Sequence, residues 1–179
     1  MEIRLSGFGG QGVIRMGVIL GRAASMFDGK NATLTQSFGP EARGGACSAQ
    51  LIVSESEILY PYLTAPEILV AMSQEAYDKF EPGLRKDGIL LTEQDLVRAH
   101  LPRSSIKAYS VPATRIAEQM GNRMFANMVM LGFLAAVTGI TGRDALHKAI
   151  PGFVPDRSLD KNLEALDRGW ELGLEQRAA

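Results

Sequence analysis

A chain of 179 residues is most simply one domain, spanning 1–179, and it can bury roughly 70% of the surface that its unfolded form exposes. Its 19 Lys and Arg residues nearly balance its 20 Asp and Glu residues, which excludes the broad basic surface that attracts nucleic acids or anionic membranes. One cysteine and two histidines exclude an internal disulfide and a cysteine-rich metal or iron–sulfur site, so we expect the chain to hold no metal itself.

The first predicted unit is a short strand, a glycine turn and a helix. Ile3 to Leu5 is apolar, and a helical pattern runs from Val13 to Phe27. The glycines between them leave the backbone N–H groups at the start of the helix unobstructed, which suits a phosphate or another anion. We therefore predict a binding site in this turn, formed by Gly7, Gly9, Gly10, Gln11 and Gly12.

The spacing of Gly7, Gly9 and Gly12 satisfies the pattern G-x-G-x-x-G, which leaves two other interpretations open. One is a nicotinamide or flavin site, but such a site expects an acidic residue at the end of the second strand. The predicted second strand, Ala32 to Phe38, ends without one. In the other interpretation the glycines bind no ligand and only allow the first helix to pack closely against the sheet.

A second glycine-rich loop, Gly39 to Gly45, follows the second predicted strand and contains Arg43. The carboxyl ends of strands are where ligands of open α/β sheets bind. A guanidinium there can form a charge-assisted pair with a phosphate or carboxylate, so Ser37, Arg43 and Gly44 join the predicted site. An ordinary surface charge or an intersubunit salt bridge remains the alternative for Arg43.

Predicted strands and helices alternate through the middle of the chain. Ser73 is a plausible N-cap for a helix from Gln74 to Phe80, and Pro112 is expected to begin the next helix. This succession predicts an α/β fold with a Rossmann-like open, mostly parallel sheet and helices on both faces. The remaining predicted strands are Ala46 to Ser54, Glu67 to Met72, Gly88 to Thr92 and Ser105 to Val111.

Two side chains with reactive groups are predicted to be inert. Cys47 falls on the apolar face of the alternating strand Ala46 to Ser54, which favours a buried thiol. His100 precedes Leu101-Pro102 in a predicted surface turn, which favours a solvated imidazole over a catalytic one.

The last third of the chain is predicted to be helical. The uncharged stretch Met124 to Gly142 is too short and too polar for a membrane span, so we predict a helix buried in protein, part of which faces another subunit or a second copy. The final helix has an apolar stripe at intervals of three and four. The stripe consists of Leu159, Leu163, Leu166, Trp170 and Leu174.

The start of the chain bears on its location. Because Glu2 and Arg4 interrupt the first apolar residues, we expect no signal peptide and a cytoplasmic protein.

Several segments resemble, in the same order, the gamma subunit of the 2-oxoacid:ferredoxin oxidoreductases, and the resemblance covers nearly the whole chain. Phe38 to Arg43 and Asn127 to Gly132 are most similar to the 2-oxoglutarate branch, while pyruvate, branched-chain and aryl-pyruvate enzymes stay open. The similar segments are Gly7 to Gly12, Gln36 to Gly45, Tyr60-Pro61, Pro112 to Ala117, Asn122 to Met128 and Lys161 to Leu166.

The resemblance implies a complex that oxidatively decarboxylates a 2-oxoacid to an acyl-CoA and passes electrons to ferredoxin. It implies that alpha, beta and delta-type subunits carry thiamine pyrophosphate, magnesium and iron–sulfur clusters, while the gamma chain has no catalytic group and shapes coenzyme A access. By this analogy the glycine turn, Ser37, Arg43 and Gly44 meet coenzyme A or a partner subunit. The alternative is a free-standing dinucleotide-binding oxidoreductase or regulatory module that uses the turn from Gly7 to Gly12.

Overall fold

The computed structural model describes residues 1–37, 46–100 and 105–178. Arg43 and Gly44 therefore lie outside the described residues. The described strands are β1 (Glu2–Phe8), β2 (Asn31–Ser37), β3 (Ala46–Ser54), β4 (Ile68–Ala71), β5 (Ile89–Glu93) and β6 (Lys107–Val111). The described α-helices are α1 (Val13–Arg22), α2 (Gln74–Phe80), α3 (Ala113–Gln119), α4 (Ala126–Thr138), α5 (Arg143–Ala149) and α6 (Leu159–Ala178).

The strands form one sheet in the order β2-β3-β1-β4-β5-β6. β1, β4, β5 and β6 are parallel, whereas β3 runs antiparallel to both of its neighbours, β1 and β2. The predicted open, mostly parallel sheet is confirmed. The insertion of an antiparallel strand between β1 and β2 was not predicted, because the alternation of a strand indicates its faces and not its neighbours.

The ends of the strands lie along two opposite edges of the sheet, which we name the carboxyl edge and the amino edge after the ends of β1. At the carboxyl edge, β1, β2, β4, β5 and β6 end and β3 begins, so that Gly7 lies opposite Cys47 and Ser37 opposite Ser48. At the amino edge, the same five strands begin and β3 ends. The glycine turn therefore lies at the carboxyl edge, as predicted.

Helices cover both faces of the sheet, as the sequence predicts, but they do so unequally. Ile3, Leu5 and Val70 belong to a large core on the face covered by α1 and by α3 to α6. On the opposite face, Leu69 and Leu90 pack in a smaller cluster with residues that include Tyr77 of α2.

Helix α4 is the centre of the larger core. Every residue from Ala126 to Val137 is buried, which confirms the predicted buried helix. Because this chain alone buries the range, none of it is left to face another subunit, contrary to the prediction for part of the helix. Its crossing with α6 is very close, because a Cβ added to Gly169 would lie 1.9 Å from the Val129 carbonyl oxygen. Small residues of α6 therefore make this contact. Leu174, the last residue of the predicted apolar stripe, lies away from it and is 47% exposed.

The helix ends differ slightly from the predictions. The Ser73 hydroxyl accepts a hydrogen bond from the Ala76 N–H at 3.3 Å, so the predicted N-cap of α2 is confirmed. Pro112, the predicted first residue of α3, is its N-cap, so the helix begins one residue later than predicted. The predicted first helix changes after Arg22 to a π-helix at Ala23–Phe27. No helix in the described part of the chain combines the length and the apolar character needed to cross a membrane.

Candidate functional site: a pocket at the carboxyl edge

The glycine turn connects β1 to α1 through backbone conformations that few other residues adopt. Gly10 has a φ of 98° and Gly12 a φ of 76°, both in the left-handed region. Gly12 is also the N-cap of α1, which has no side-chain cap. The first N–H groups of this ten-residue helix are consequently available to an acceptor at the carboxyl edge.

The side chain of Gln11 holds the turn in place. Its amide oxygen accepts a hydrogen bond from the Phe8 N–H at 2.7 Å, and its amide nitrogen donates to the Met72 carbonyl at 2.8 Å. The two hydrogen bonds of this amide thus connect the end of β1 to the residue that follows β4. A Cβ on Gly7 would lie 2.5 Å from the Gln11 amide oxygen, so a larger residue at this position would displace the Gln11 side chain.

A pocket of about 720 Å³ lies between the glycine turn and the start of α4. It lies where β1 and β4 end side by side. In the strand order, β2 and β3 lie to one side of β1, whereas β4 and β5 lie to its other side. Such a switch point is the usual ligand position in open α/β sheets. The described lining residues are Gly9, Gly10, Gln11, Gly12, Val13, Ile14, Arg15, Cys47, Met72, Thr114, Arg123, Met124, Ala126 and Asn127.

Two arginines give the pocket a positive charge. Arg15 in the first turn of α1 and Arg123 before α4 both line it, and both are exposed. Within residues 1–37, 46–100 and 105–178, neither guanidinium has a hydrogen bond or ion pair, whereas Arg143 and Arg168 pair with carboxylates. Unpaired guanidinium groups beside the N–H groups of a helix start suit an anionic ligand.

Asn127 forms the buried end of the pocket beside Gly12. The residue is 3% exposed, and its amide oxygen has no hydrogen-bond partner among the described residues. Its amide nitrogen would lie 2.3 Å from a Cβ placed on Gly12. A buried amide without a partner is uncommon in native structures, so its position in the wall of a pocket points to a binding role.

Cys47 also contributes to the wall of the pocket. It is 8% exposed, which confirms the predicted buried thiol. Burial raises the pKa of the Cys47 thiol above its ordinary value, although a backbone hydrogen bond acts in the opposite direction. The thiol is therefore protonated at neutral pH, a state with little nucleophilic reactivity.

The predicted site residues do not all come together. Gly9, Gly10, Gln11 and Gly12 line the pocket, while Gly7 is buried behind the turn. Ser37 is exposed at the end of β2 and is separated from β1 by β3. This separation also weighs against the dinucleotide interpretation, because the end of β2 is not adjacent to the glycine turn.

Sequence reasoning did not assign Arg15, Arg123 and Asn127 to the site, although all three line the pocket. The available signals were the position of Arg15 in the first turn after the glycines and the spacing of four between Arg123 and Asn127 at a helix start. Neither signal indicates which face of the helix meets the turn, so only the tertiary structure brings these residues together.

Together, the fold and the pocket define a Rossmann-like α/β domain with a positively charged pocket at the switch point of its sheet. The chain belongs to the pyruvate ferredoxin/flavodoxin oxidoreductase family, whose model matches residues 2–172. The resemblance found in the sequence is thereby confirmed.

Three known proteins show how widely the similarity extends. The chain is 46% identical to the 2-oxoglutarate synthase subunit KorC of Methanocaldococcus jannaschii, across 97% of this chain and 94% of that protein. It is 34% identical to the ketoisovalerate oxidoreductase subunit VorA of Methanothermobacter thermautotrophicus, across 96% of this chain but only 36% of that protein. The crystal structure of a keto/oxoacid ferredoxin oxidoreductase gamma subunit from Geobacter sulfurreducens superimposes with a TM-score of 0.85 and 39% identity, over 97% of this chain and 98% of that one.

Proposed function

We propose that this chain is the gamma subunit of a cytoplasmic 2-oxoglutarate:ferredoxin oxidoreductase. The complex would convert 2-oxoglutarate and coenzyme A to an acyl-CoA and carbon dioxide, and pass two electrons to ferredoxin. The observation that supports 2-oxoglutarate as the substrate is the sequence identity, which is 46% with a 2-oxoglutarate synthase subunit and 34% with a ketoisovalerate oxidoreductase subunit.

In this proposal the chemical steps belong to other subunits of the complex. Alpha, beta and delta-type subunits hold thiamine pyrophosphate, magnesium and iron–sulfur clusters, which supply the carbanion chemistry and the path for the electrons. The gamma chain contributes binding and positioning. The clamp of Gln11 between β1 and β4 keeps the glycine turn rigid for this purpose.

The pocket at the carboxyl edge fits part of a coenzyme A molecule. Its volume of about 720 Å³ is typical of small-molecule sites. Arg15, Arg123 and the exposed backbone of Gly9 and Gly10 suit the phosphates, whereas Val13 and its apolar neighbours suit the uncharged part of the ligand. We therefore propose that these residues bind coenzyme A and orient its thiol toward the active centre on the partner subunits.

The test uses the complex reconstituted from all its subunits. We expect the double variant Arg15→Ala/Arg123→Ala to raise the KM for coenzyme A at least tenfold and to leave the KM for 2-oxoglutarate within twofold. The matched control is Arg168→Ala, which removes an exposed arginine of α6 that pairs with Glu164. An unchanged KM for coenzyme A would remove the pocket from the proposal, and turnover of pyruvate or ketoisovalerate in place of 2-oxoglutarate would overturn the substrate assignment.

A further inference from the structure

Large apolar side chains are exposed mainly at the amino edge of the sheet, away from the pocket. Ten such side chains are exposed in the described part of the chain, and six of them belong to segments that begin or end at this edge. An apolar surface of this kind on a folded domain usually marks an interaction site. The six are Met1, Met26, Phe27, Leu59, Tyr60 and Tyr62.

Three of these residues lie in one short stretch between β3 and β4, which we name the aromatic segment, residues 59–62. Leu59 is 88% exposed, Tyr60 64% and Tyr62 55%. The rings of Tyr60 and Tyr62 contact each other edge to face, with centroids 5.6 Å apart. Tyrosine is enriched among the residues that dominate binding energy at protein interfaces, because it buries a large ring and retains a polar hydroxyl.

The backbone beside the aromatic segment is held by hydrogen bonds to β1 on one side and to the end of β3 on the other. The Glu2 carboxylate accepts the N–H groups of Thr64 at 2.8 Å and Ala65 at 3.0 Å. On the other side, the Ser56 N–H donates to the Ser54 hydroxyl at 3.1 Å. Because both flanks are fixed, docking of this segment costs less conformational entropy than docking of a mobile loop.

The aromatic segment does not belong to the coenzyme A pocket. The segment follows the end of β3 and is tied to Glu2 at the start of β1, whereas the pocket follows Phe8 at the end of β1. These two ends lie at opposite ends of the seven-residue strand β1, a distance of roughly 20 Å. A partner bound at the amino edge therefore leaves the pocket accessible from the carboxyl edge.

We propose that the aromatic segment is the surface by which this chain docks onto a larger subunit of its own oxidoreductase complex, into an apolar cleft with a basic rim. The inference rests on the proposed function only in that such a subunit exists. Glu55 and Glu57 flank the segment, are exposed and form no ion pair with another described residue, which favours basic side chains on the partner. In VorA, the region similar to this chain makes up 36% of a longer polypeptide, so in that relative the domain is covalently joined to further polypeptide of its oxidoreductase. This fusion favours a larger chain of the same enzyme as the partner.

Site-specific crosslinking identifies the protein that contacts the aromatic segment. A benzoylphenylalanine replaces Tyr60 in the complete complex, and the same group at Leu174, an exposed residue of α6, is the control. We expect the Tyr60 position to crosslink to a larger subunit and the Leu174 position to crosslink at least fivefold less. Crosslinking of Tyr60 to a second copy of this chain, or to no protein, would overturn the proposal.

Assembly gives an independent measurement. The variant Leu59→Ser/Tyr60→Ser/Tyr62→Ser is expected to lose at least tenfold in affinity for the complex, while Leu174→Ser assembles like the wild type. The melting temperature of the isolated subunit should stay within a few degrees, since exposed side chains contribute little to folding. Assembly of the triple variant at wild-type strength overturns the docking surface and leaves the proposed function intact, whereas a wild-type chain that never assembles overturns both.

Discussion

Gly12 and Asn127 are in such close contact that no side chain fits between them. A Cβ on Gly12 would lie 2.3 Å from the Asn127 amide nitrogen and 3.0 Å from its side-chain carbon Cγ. The contact joins the first turn of α1 to the first turn of α4 and closes one end of the pocket. The shape of the site thus depends on a backbone position that only glycine satisfies.

The first prediction concerns this contact. Gly12→Ala is expected to lower the free energy of unfolding by about 1 to 3 kcal/mol, because alanine is strained at a φ of 76° and displaces Asn127. Gly9→Ala is the matched control, since a Cβ there meets nothing within 4 Å. Its effect should stay within about 0.5 kcal/mol. Urea denaturation of the isolated chain measures both, and equal losses in the two variants would contradict the role of the contact.

The second prediction tests the Gln11 clamp. In Gln11→Glu, the carboxylate can still accept from the Phe8 N–H but cannot donate to the Met72 carbonyl, which it instead repels. The expected loss at pH 7 is about 1 to 3 kcal/mol of the free energy of unfolding. Protonation of the glutamate restores a donor, so the loss should shrink when the pH is lowered to about 4.5, near the ordinary pKa of the group.

Exposed Gln94 provides the control for this variant, as Gln94→Glu adds the same charge at the surface. Denaturation curves of both variants at the two pH values separate the clamp from a general charge effect. The clamp would be refuted by a pH-independent loss in Gln11→Glu, or by the same pH dependence in Gln94→Glu.

The third prediction is a pH dependence set by Asp167 of α6. Arg143 donates to its Oδ1 at 2.7 Å, and His147 Nε2 lies 2.7 Å from the same oxygen. Burial raises the pKa of Asp167, but the hydrogen bonds from Arg143 and His147 outweigh it and leave the pKa below its usual value. A depressed folded-state pKa contributes stability that is present above the unfolded value of about 3.9 and is lost as the pH falls through the folded value.

Asp167→Asn should therefore lower the melting temperature near neutral pH and have a smaller effect in strong acid. Asp160→Asn, an exposed position on the same helix, should change little at either pH. Calorimetric scans from acid to neutral pH check the difference. A deficit in Asp167→Asn that persists undiminished in acid would show that packing and not the carboxylate charge is responsible.

The fourth prediction concerns Arg43, which lies outside the described residues. If this guanidinium pairs with a phosphate or a carboxylate of the substrates, Arg43→Ala raises the KM for coenzyme A or 2-oxoglutarate, with a loss of about 1.5 to 3 kcal/mol of binding energy. The melting temperature of the isolated subunit should hardly change. Steady-state kinetics of the complex test this role. Unchanged kinetics together with a lower melting temperature would show that Arg43 stabilises the structure and does not bind a substrate.

The sequence predicts well whatever depends on local chemistry. The glycine turn before α1, the cap at Ser73 and the buried apolar helix from Ala126 are each determined by residues within a few positions. The same holds for Cys47, which is buried because it falls on the apolar side of an alternating strand. These features need no knowledge of distant contacts.

Strand neighbours and pocket walls could not be predicted in this way. β3 pairs with β1 and β2 through backbone hydrogen bonds, which any sequence can form in either direction. The buried face of α6 includes Gly169 and Gly173, which lie beside the predicted leucine stripe and allow a close approach to α4. This approach depends on both helices at once. Arg15 and Asn127 likewise line the same pocket only because α1 and α4 converge at the carboxyl edge.

The complete burial of α4 has a consequence for hydrogen exchange. Its backbone hydrogen bonds lie inside the core, with α6 close against one side, so no small local opening brings solvent to them. The amide protons of this helix should therefore exchange with deuterium only when the whole subunit unfolds. Their exchange rates therefore report the global stability of the isolated chain.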